Sequence, residues 1–159
     1  MSRIWKKIGT ITYWLCWPML FIYLRFTRRT RVLVICEDEI LVVRGWLADD
    51  KWYLPGGGLH SGEEKEAGAI RELYEETKLK LKPSELNYLG PVKAHTHGLS
   101  FWYESFYVVL NAKPKVERQK WEISDIAWIG IDRLSKTNAT SAVLDSLSAW
   151  KRLSVSDTM

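Results

Sequence analysis

The stretch GGLHSGEEKEAGAIRELYEETKL, from Gly57 to Leu79, contains the clearest pattern in the chain. Its run from Glu63 to Thr77 has no proline and a single glycine, and Ser61 precedes Glu64 by the three residues of a capping box. This run is therefore predicted to be a helix. The glycines at 56–58 predict a loop before it, because they allow dihedrals and close approaches that a Cβ atom would prevent.

The predicted helix has two contrasting faces. Apolar residues at spacings of three and four predict one buried stripe, formed by Ala67, Ile70, Leu73, Tyr74 and Thr77. Glu72, Glu75 and Glu76 stand at i, i+3 and i+4, so we expect their carboxylates within one turn on the opposite side. Such crowding is repulsive unless a cation neutralises it, and hard divalent cations prefer carboxylate oxygen. The helix alone leaves both a solvated acidic face and a metal site open.

The loop and the helix together form a longer pattern. Gly57 is followed by five residues, Glu63, seven residues, Arg71-Glu72-Leu73, one residue, Glu75-Glu76, one residue, Lys78 and Leu79. This resembles the signature of the Nudix hydrolases, G-x5-E-x7-R-E-U-x-E-E-x-G-U with U a bulky aliphatic residue. The one departure is Lys78, where the family has glycine. No carboxylate is lost there, so the departure concerns the loop geometry after the helix.

The resemblance covers roughly residues 30–153 and implies an α/β fold, an α/β/α sandwich around a mixed β-sheet. Apolar runs separated by turns predict its other elements. The predicted strands are Val32–Cys36 and Ile40–Val43 as a hairpin, Trp52–Leu54, Phe101–Leu110 and Ile126–Ile131. A closing helix is expected over Leu134–Leu153, broken near Thr137-Asn138.

The resemblance also implies a role for each matching residue. The implied ligands of Mg²⁺ or Mn²⁺ are Glu72, Glu75, Glu76 and the carbonyl of Gly57, with the diphosphate of a substrate completing the shell. Glu63 and Arg71 would tie the loop to the helix. Gly57 and Gly58 would let the loop backbone approach the metal.

The sequence does not decide which residue is the general base. In some family members it is a glutamate of the motif, and in others it is a carboxylate from a distant loop. The candidates here are Glu75, Glu122 and Glu117, with Glu122 first outside the motif. His95 and His97 alternate in an extended segment and could contact a metal or a substrate, although loop surface is the favoured interpretation.

The implied activity is metal-dependent cleavage of the diphosphate linkage of a nucleoside diphosphate derivative, with water attacking phosphorus. The alternatives are a non-catalytic nucleotide-binding or sensor domain and a hydrolase of a lipid-linked diphosphate at a membrane. Isomerase chemistry on an isoprenoid diphosphate needs a catalytic thiol, which Cys16 and Cys36 are poorly placed to supply. With two cysteines in 159 residues, a disulfide framework and a four-cysteine zinc site are excluded.

Residues 1–29 differ from the rest of the chain. Up to Cys36 there are seven basic residues and no acidic ones, which leaves the remainder net acidic and argues against a nucleic-acid polymer as partner. Ile8–Leu24 is uncharged and rich in aromatic residues. As a helix it would be about 25 Å long, slightly less than the ~30 Å hydrocarbon core, and Pro18 would kink it.

Three arrangements of this stretch are open: a helix lying in the membrane interface, a single span, or a helix folded back on the domain. The predicted organisation is a hydrophobic N-terminal segment over 1–29, a Nudix domain over 30–153 and a tail over 154–159. We expect a cytoplasmic protein, and attachment to the inner face of the membrane through residues 3–31 is one of the alternatives. The oligomeric state is left open.

Overall fold

The structure is a computed structural model that describes residues 28–46, 50–96 and 99–156. The predicted N-terminal helix, the proposed membrane contact except for residues 28–31, Cys16 and His97 lie outside these ranges. Within them, no helix is both long enough and apolar enough to cross a membrane.

Five strands and two helices form the described part of the chain. They are β1 (Thr30–Cys36), β2 (Glu39–Gly45), α1 (Lys65–Thr77), β3 (Asn87–Thr96), β4 (Leu99–Leu110), β5 (Ile123–Gly130) and α2 (Ser141–Ser156). The sheet has the order β3-β4-β1-β2-β5. β1 pairs in parallel with β4, and every other neighbouring pair is antiparallel. The mixed sheet predicted from the resemblance is confirmed.

The sheet is covered by a helix on each face. Val32 and Val34 of β1 belong to the core that contains Leu73 of α1, whereas Leu33 and Ile35 belong to the core that contains Val143 of α2. Because successive side chains of a strand point to opposite faces, a strand covered on both sides is apolar throughout. The continuous run in β1 reflects this position, and the two cores form the predicted sandwich.

The sheet opens between β1 and β2, and this opening positions the glycine loop. The ladder between the two strands is confined to their hairpin end, at Ile35–Ile40 and Cys36–Glu39. At the open end, Tyr53 exchanges two backbone hydrogen bonds of 3.0 Å with Val43. The predicted strand Trp52–Leu54 is therefore reduced to isolated bridges, one of them this pair with β2.

The residues after Tyr53 then pair with β1 instead. The carbonyls of Pro55 and Gly57 accept hydrogen bonds of 2.9 Å from the amides of Val32 and Thr30. The segment 53–58 thus passes from one strand to the other and closes the opening. The glycine loop is anchored to the sheet along its length.

Two other elements differ from the prediction. β3 was not predicted, because Gly90 and Pro91 interrupt its pattern, and its pairing with β4 shifts register between Tyr88 and Gly90. The closing helix begins at Ser141 rather than Leu134. The segment before it turns, and Asn138 Oδ1 accepts the amide of Ser135 at 2.8 Å.

Helix α1 begins and faces differently from the sequence prediction. Its N-cap is Glu64, without a side-chain cap, so the predicted capping box with Ser61 is wrong. The predicted stripe is confirmed at Leu73 and Thr77 and is wrong at Ala67 and Tyr74, which are exposed. The buried residues are Gly68, Ala69, Leu73, Glu76 and Thr77.

Gly68 lies in close contact with the loop before α1. A Cβ atom on Gly68 would lie 2.2 Å from Cδ2 of Leu59, so the helix contacts the loop through its smallest residue. Small residues allow close approach whatever the hydrophobicity of the rest of the turn.

Lys78 ends α1 in the left-handed conformation, with φ 60° and its amide bonded to the carbonyl of Tyr74 at 2.9 Å. We expect Lys78→Gly to stabilise the protein by about 1 kcal/mol, because glycine adopts this conformation without the Cβ clash. Thermal denaturation measures the change. Lys78→Ala is the control, since it removes the amine but keeps the Cβ atom and should not stabilise. Equal melting temperatures for the glycine and alanine variants would contradict the prediction.

Candidate active site

Two glycines of the loop make contacts so close that a Cβ atom would displace a neighbour. Gly56 has φ +134°, and a Cβ atom on it would lie 2.4 Å from the carbonyl oxygen of Thr30. A Cβ atom on Gly57 would lie 2.5 Å from the carboxyl carbon of Glu72. The loop therefore meets β1 on one side and α1 on the other through bare backbone. The Glu72 carboxylate rests directly against this backbone.

Glu76 is the buried member of the three motif carboxylates, with 6% of its surface exposed. Its Oε2 accepts the amide of Gly56 at 2.9 Å. Burial raises the pKa of Glu76 to about 7, while Arg31 and the Gly56 amide act against this rise. The expectation that all three carboxylates lie opposite the buried stripe is wrong, because Glu76 belongs to that stripe.

Arg71 uses all five of its N–H donors to join the loop and the helix. It donates twice to Glu63 and once to the carbonyl of Gly58, each at 2.9 Å. The remaining two donors reach Glu72 at 2.9 Å and Glu75 at 3.4 Å. The hydrogen bonds from Arg71, followed by that from the His60 amide, lower the pKa of Glu63 to about 2. The structure thus brings Glu63, Gly58 and Arg71 into contact.

The three candidate general bases lie in different environments. Glu75 is exposed and contacts Arg71. Glu117 is exposed and pairs with Lys115 at 3.1 Å. Glu122 raises the pKa of Glu76 and that of Tyr53, so it lies within electrostatic reach of the buried carboxylate. The Glu122 carboxylate has neither a hydrogen bond nor an ion pair with the described residues.

The loop before β5 brings Glu122 to this place. The amides of Glu117 and Gln119 donate to the carbonyls of Thr77 and Glu76 at 2.9 and 3.0 Å. These carbonyls at the end of α1 have no partner within the helix, so the loop satisfies them. The chain then reaches Glu122 three residues later. The resemblance put Glu122 first outside the motif, but the sequence holds no signal for the backbone contacts that place this loop.

The remaining sequence candidates are the Gly57 carbonyl, Cys36 and His95. The Gly57 carbonyl accepts the Thr30 amide, which uses one of its two lone pairs. Cys36 is buried at the far end of β1 from Thr30. His95 lies on β3.

Two residues near Glu76 were not singled out from the sequence, namely Arg31 and Tyr53. Both are half-buried, and burial raises the pKa of Tyr53 to about 12. Arg31 precedes an apolar run in β1, and a charged residue bordering a buried strand is the signal that could have identified it. Arg31 was not singled out because it is one of the seven basic residues that precede Cys36.

The arrangement suits a divalent cation that shares its shell with a substrate. Among the described residues, no three His, Cys, Asp or Glu side chains converge into a ready metal cage. Mg²⁺ commonly takes one or two protein carboxylates and leaves its other positions to water and phosphate oxygen. Glu72 and Glu76, one helical turn apart beside the loop, meet this requirement with oxygen donors alone.

The pKa of Glu76 predicts how the metal-free protein responds to pH. Between its ordinary value of 4.5 and its folded value of about 7, the folded protein keeps a proton that the unfolded chain has released. The free energy of unfolding should therefore be highest near the lower value and decrease as the pH rises through the upper one. The lowered pKa of Glu63 acts only below this window.

Urea denaturation in buffer depleted of divalent ions, across this pH range, measures the effect. Glu76→Gln should flatten the dependence, since the group that takes up the proton is gone. A wild-type stability that rises with pH across the window would contradict the prediction.

The sequence and fold were compared with those of known proteins. A family model described as the NUDIX domain matches residues 26–150. A MutT-like protein of Streptomyces ambofaciens is 32% identical over 109 residues, covering 67% of this chain and 66% of the relative. Diphosphoinositol polyphosphate phosphohydrolase 3-alpha of Mus musculus is 44% identical over 50 residues. That match spans 31% of this chain and only 30% of the relative.

Solved structures share the fold at low sequence identity. A MutT NUDIX hydrolase from Burkholderia pseudomallei superposes with a TM-score of 0.66 at 19% identity, covering 77% of this chain and 96% of that one. A bifunctional NMN adenylyltransferase/ADP ribose pyrophosphatase from Francisella tularensis gives 0.69 at 20% identity, covering 92% of this chain and 48% of that one. A second structure of that enzyme contains AMP and a Mn ion. With its loop and helix motif, its sandwich fold and a family match over most of its length, the chain belongs to the NUDIX domain family.

Proposed function

We propose that this chain is a metal-dependent Nudix pyrophosphohydrolase that cleaves the diphosphate linkage of a nucleoside diphosphate derivative, with water attacking phosphorus. The observation that carries the proposal is the buried Glu76 carboxylate, held by the Gly56 amide at 2.9 Å beside a second carboxylate, Glu72. Burying a carboxylate is unfavourable unless a partner compensates it. A bound cation is such a partner, and it would neutralise the acidic cluster.

Glu72 and Glu76 would hold Mg²⁺ or Mn²⁺, with Glu75 and the Gly57 carbonyl as further candidate ligands. A bound cation of this kind offsets phosphate charge and lowers the pKa of a coordinated water. Arg71 holds Glu72 against the loop, and the Gly56 amide fixes the orientation of Glu76. These contacts would position the two carboxylates before any ligand arrives.

Glu122 is our proposed general base. Its carboxylate is the one of the three candidates that neither Arg71 nor Lys115 engages. Its charge contributes to the raised pKa of Glu76, so it lies within electrostatic reach of the buried carboxylate. A base must be free to accept a proton from water near the scissile phosphorus. Glu75 stays the alternative within the motif.

The names of the relatives support a diphosphate as the substrate feature. One name contains a diphosphoinositol polyphosphate and the other ADP ribose, and both compounds carry a diphosphate. The Mn ion in one related structure supports a divalent cation. We assign the catalytic domain to residues 30–153, and keep membrane contact through residues 3–31 as an alternative that would favour a lipid-linked diphosphate.

The test is hydrolysis by the full chain across a panel of diphosphates with Mg²⁺, with Mn²⁺ and with a chelator. The panel contains ADP ribose, a nucleoside triphosphate, a nucleotide sugar, a diphosphoinositol polyphosphate and a prenyl diphosphate. We expect metal-dependent release from a nucleoside diphosphate derivative, with ¹⁸O from labelled water in a phosphate product. Cleavage of the prenyl compound alone would favour the lipid-linked alternative.

Calorimetric titration of Mn²⁺ accompanies the assay. A folded chain that binds Mn²⁺ and nucleotides but cleaves nothing would instead be a binding or sensor domain. For the base, Glu122→Gln should reduce kcat strongly, whereas the matched change Glu117→Gln should leave it unaltered.

A further inference from the structure

Two arginines flank the opening between β1 and β2. Arg31 lies near the start of β1 and Arg44 near the end of β2, so both lie at the same end of two neighbouring strands. Alternation along each strand places Arg31 on the face of Leu33, and Arg44 on the face of Val42. Leu33 and Val42 belong to the same core, the one that α2 covers. The two guanidinium groups therefore share one face of the sheet.

Neither guanidinium has a hydrogen-bond acceptor among the described residues. Nη1 of Arg31 and Nε of Arg44 are buried and unpartnered. Asp125 is the partner of Arg44 across the ladder, but its Oδ1 accepts the Ile126 amide instead. Arg71, by contrast, uses all five of its N–H donors. Buried charged donors without acceptors are unfavourable and call for an explanation.

Aromatic rings hold both groups by their faces. Cζ of Arg44 lies 3.8 Å from the ring centroid of Trp52, and Cζ of Arg31 lies 5.6 Å from that of Tyr53. Contact with a ring face restrains the guanidinium group and uses none of its N–H donors. Planar groups with free edge donors match the oxygen atoms of phosphate.

The pair lies beside the proposed catalytic carboxylates. Arg31 lowers the pKa of Glu76, so the two side chains are within electrostatic reach. A Cβ atom on Gly56 would lie 3.0 Å from Cα of Arg31, and the Gly56 amide binds Glu76. Gly56 therefore lies between Arg31 and Glu76. A ligand at the carboxylates would extend toward Arg31.

We propose that Arg31 and Arg44 form an anion-binding pair for a phosphate group of the ligand other than the diphosphate at Glu72 and Glu76. The pair would favour substrates that carry at least one phosphate beyond the scissile diphosphate. This choice of substrate rests on the proposed hydrolase function, whereas the binding of an anion by the two arginines does not.

Calorimetric titration of inorganic tripolyphosphate into the full chain, in buffer depleted of divalent ions, tests the binding. We expect Arg31→Gln and Arg44→Gln each to weaken binding at least about tenfold, as the loss of a charged hydrogen bond does. Arg152→Gln is the matched control, because it removes the same charge from an exposed position on α2. Arg31→Lys and Arg44→Lys keep the charge but lose the fork, and should also weaken binding.

Thermal denaturation separates a ligand site from a structural role. The unliganded melting temperature should decrease only slightly in the four variants at positions 31 and 44, because these guanidinium groups contact aromatic rings but hydrogen-bond to none of the described residues. The increase produced by tripolyphosphate should be lost in the glutamine variants. Absence of tripolyphosphate binding to the wild type, or equal binding by the variants at positions 31 and 44, overturns the proposal.

Two further results distinguish the proposals. Arginine-dependent tripolyphosphate binding without hydrolysis of any compound would refute the proposed function alone. Metal-dependent hydrolysis with the same KM for substrates with and without an additional phosphate, in wild type and variants, would refute the anion pair alone. Binding to anionic vesicles that depends on Arg31 and is not displaced by tripolyphosphate would assign the pair to a lipid headgroup and overturn the substrate inference.

Discussion

Glu76→Gln is expected to reduce metal-dependent hydrolysis about 100-fold or more while making the metal-free protein more stable above pH 7. The loss of activity follows from the loss of a charge that would bind the cation, on the scale seen when one preorganised charge-stabilising group is removed. The gain in stability has a different cause. A buried amide requires much less desolvation than a buried carboxylate.

The substitution is close to isosteric, and the glutamine oxygen can still accept the Gly56 amide that now lies 2.9 Å from Oε2. Opposite changes in activity and stability are therefore the signature of a carboxylate buried for function. Turnover with Mg²⁺, Mn²⁺ titration and urea denaturation in metal-free buffer measure the three quantities.

Glu75→Gln is the matched control, since Glu75 stands one residue away and is exposed. It should leave the free energy of unfolding nearly unchanged whatever it does to activity. Full Mg²⁺-dependent turnover by the Glu76→Gln protein would show that Glu76 is not a metal ligand. A large loss of stability of the Glu76→Gln protein in metal-free buffer would show that the fold requires the charge of Glu76. It would contradict the expected stabilisation.

Gly57→Ala is expected to weaken Mn²⁺ binding at least about tenfold with little loss of stability, because the atoms in the way belong to the far end of the flexible Glu72 side chain. Its Cβ atom would lie 2.5 Å from the carboxyl carbon of Glu72, so the carboxylate must move away from the loop. The φ of Gly57 lies outside the left-handed region, which makes the close contact the sole source of strain.

Gly62→Ala supplies the control for stability. Gly62 has φ +76°, but a Cβ atom there meets nothing within 4 Å. This variant should lose about 1 kcal/mol through its backbone conformation and bind Mn²⁺ as the wild type does. Equal Mn²⁺ affinity for Gly57→Ala and the wild type would separate Glu72 from the metal site.

The motif and the fold class could be predicted from the sequence because both depend on local patterns. The spacing of Gly57, Glu63 and Arg71 predicts a helix preceded by a glycine loop. An apolar run such as that of β1 predicts a strand covered on both faces of the sheet. The contacts of Arg71 with Glu63 and Gly58 join residues at most 13 positions apart. Patterns of this range are visible in a single sequence.

The face of α1 that is buried could not be predicted from the sequence. An apolar stripe containing Tyr74 and the observed stripe containing Glu76 differ by a modest rotation about the helix axis. Hydrophobicity favours the first. In the second, Gly68 contacts Leu59 and Glu76 accepts the Gly56 amide, and neither contact is visible in the hydrophobic pattern.

By itself, the sequence determined the family, the α/β class and which glutamates lie in the motif, since these follow from residue types at short spacings. Only the tertiary structure decided that Glu76 is buried on the Gly56 amide, that Glu122 approaches it and that Arg31 and Arg44 share one face of an opened sheet. These last relations join segments 13 to 46 residues apart in the chain. Burial and long-range charge interactions exist only after packing has brought such segments together.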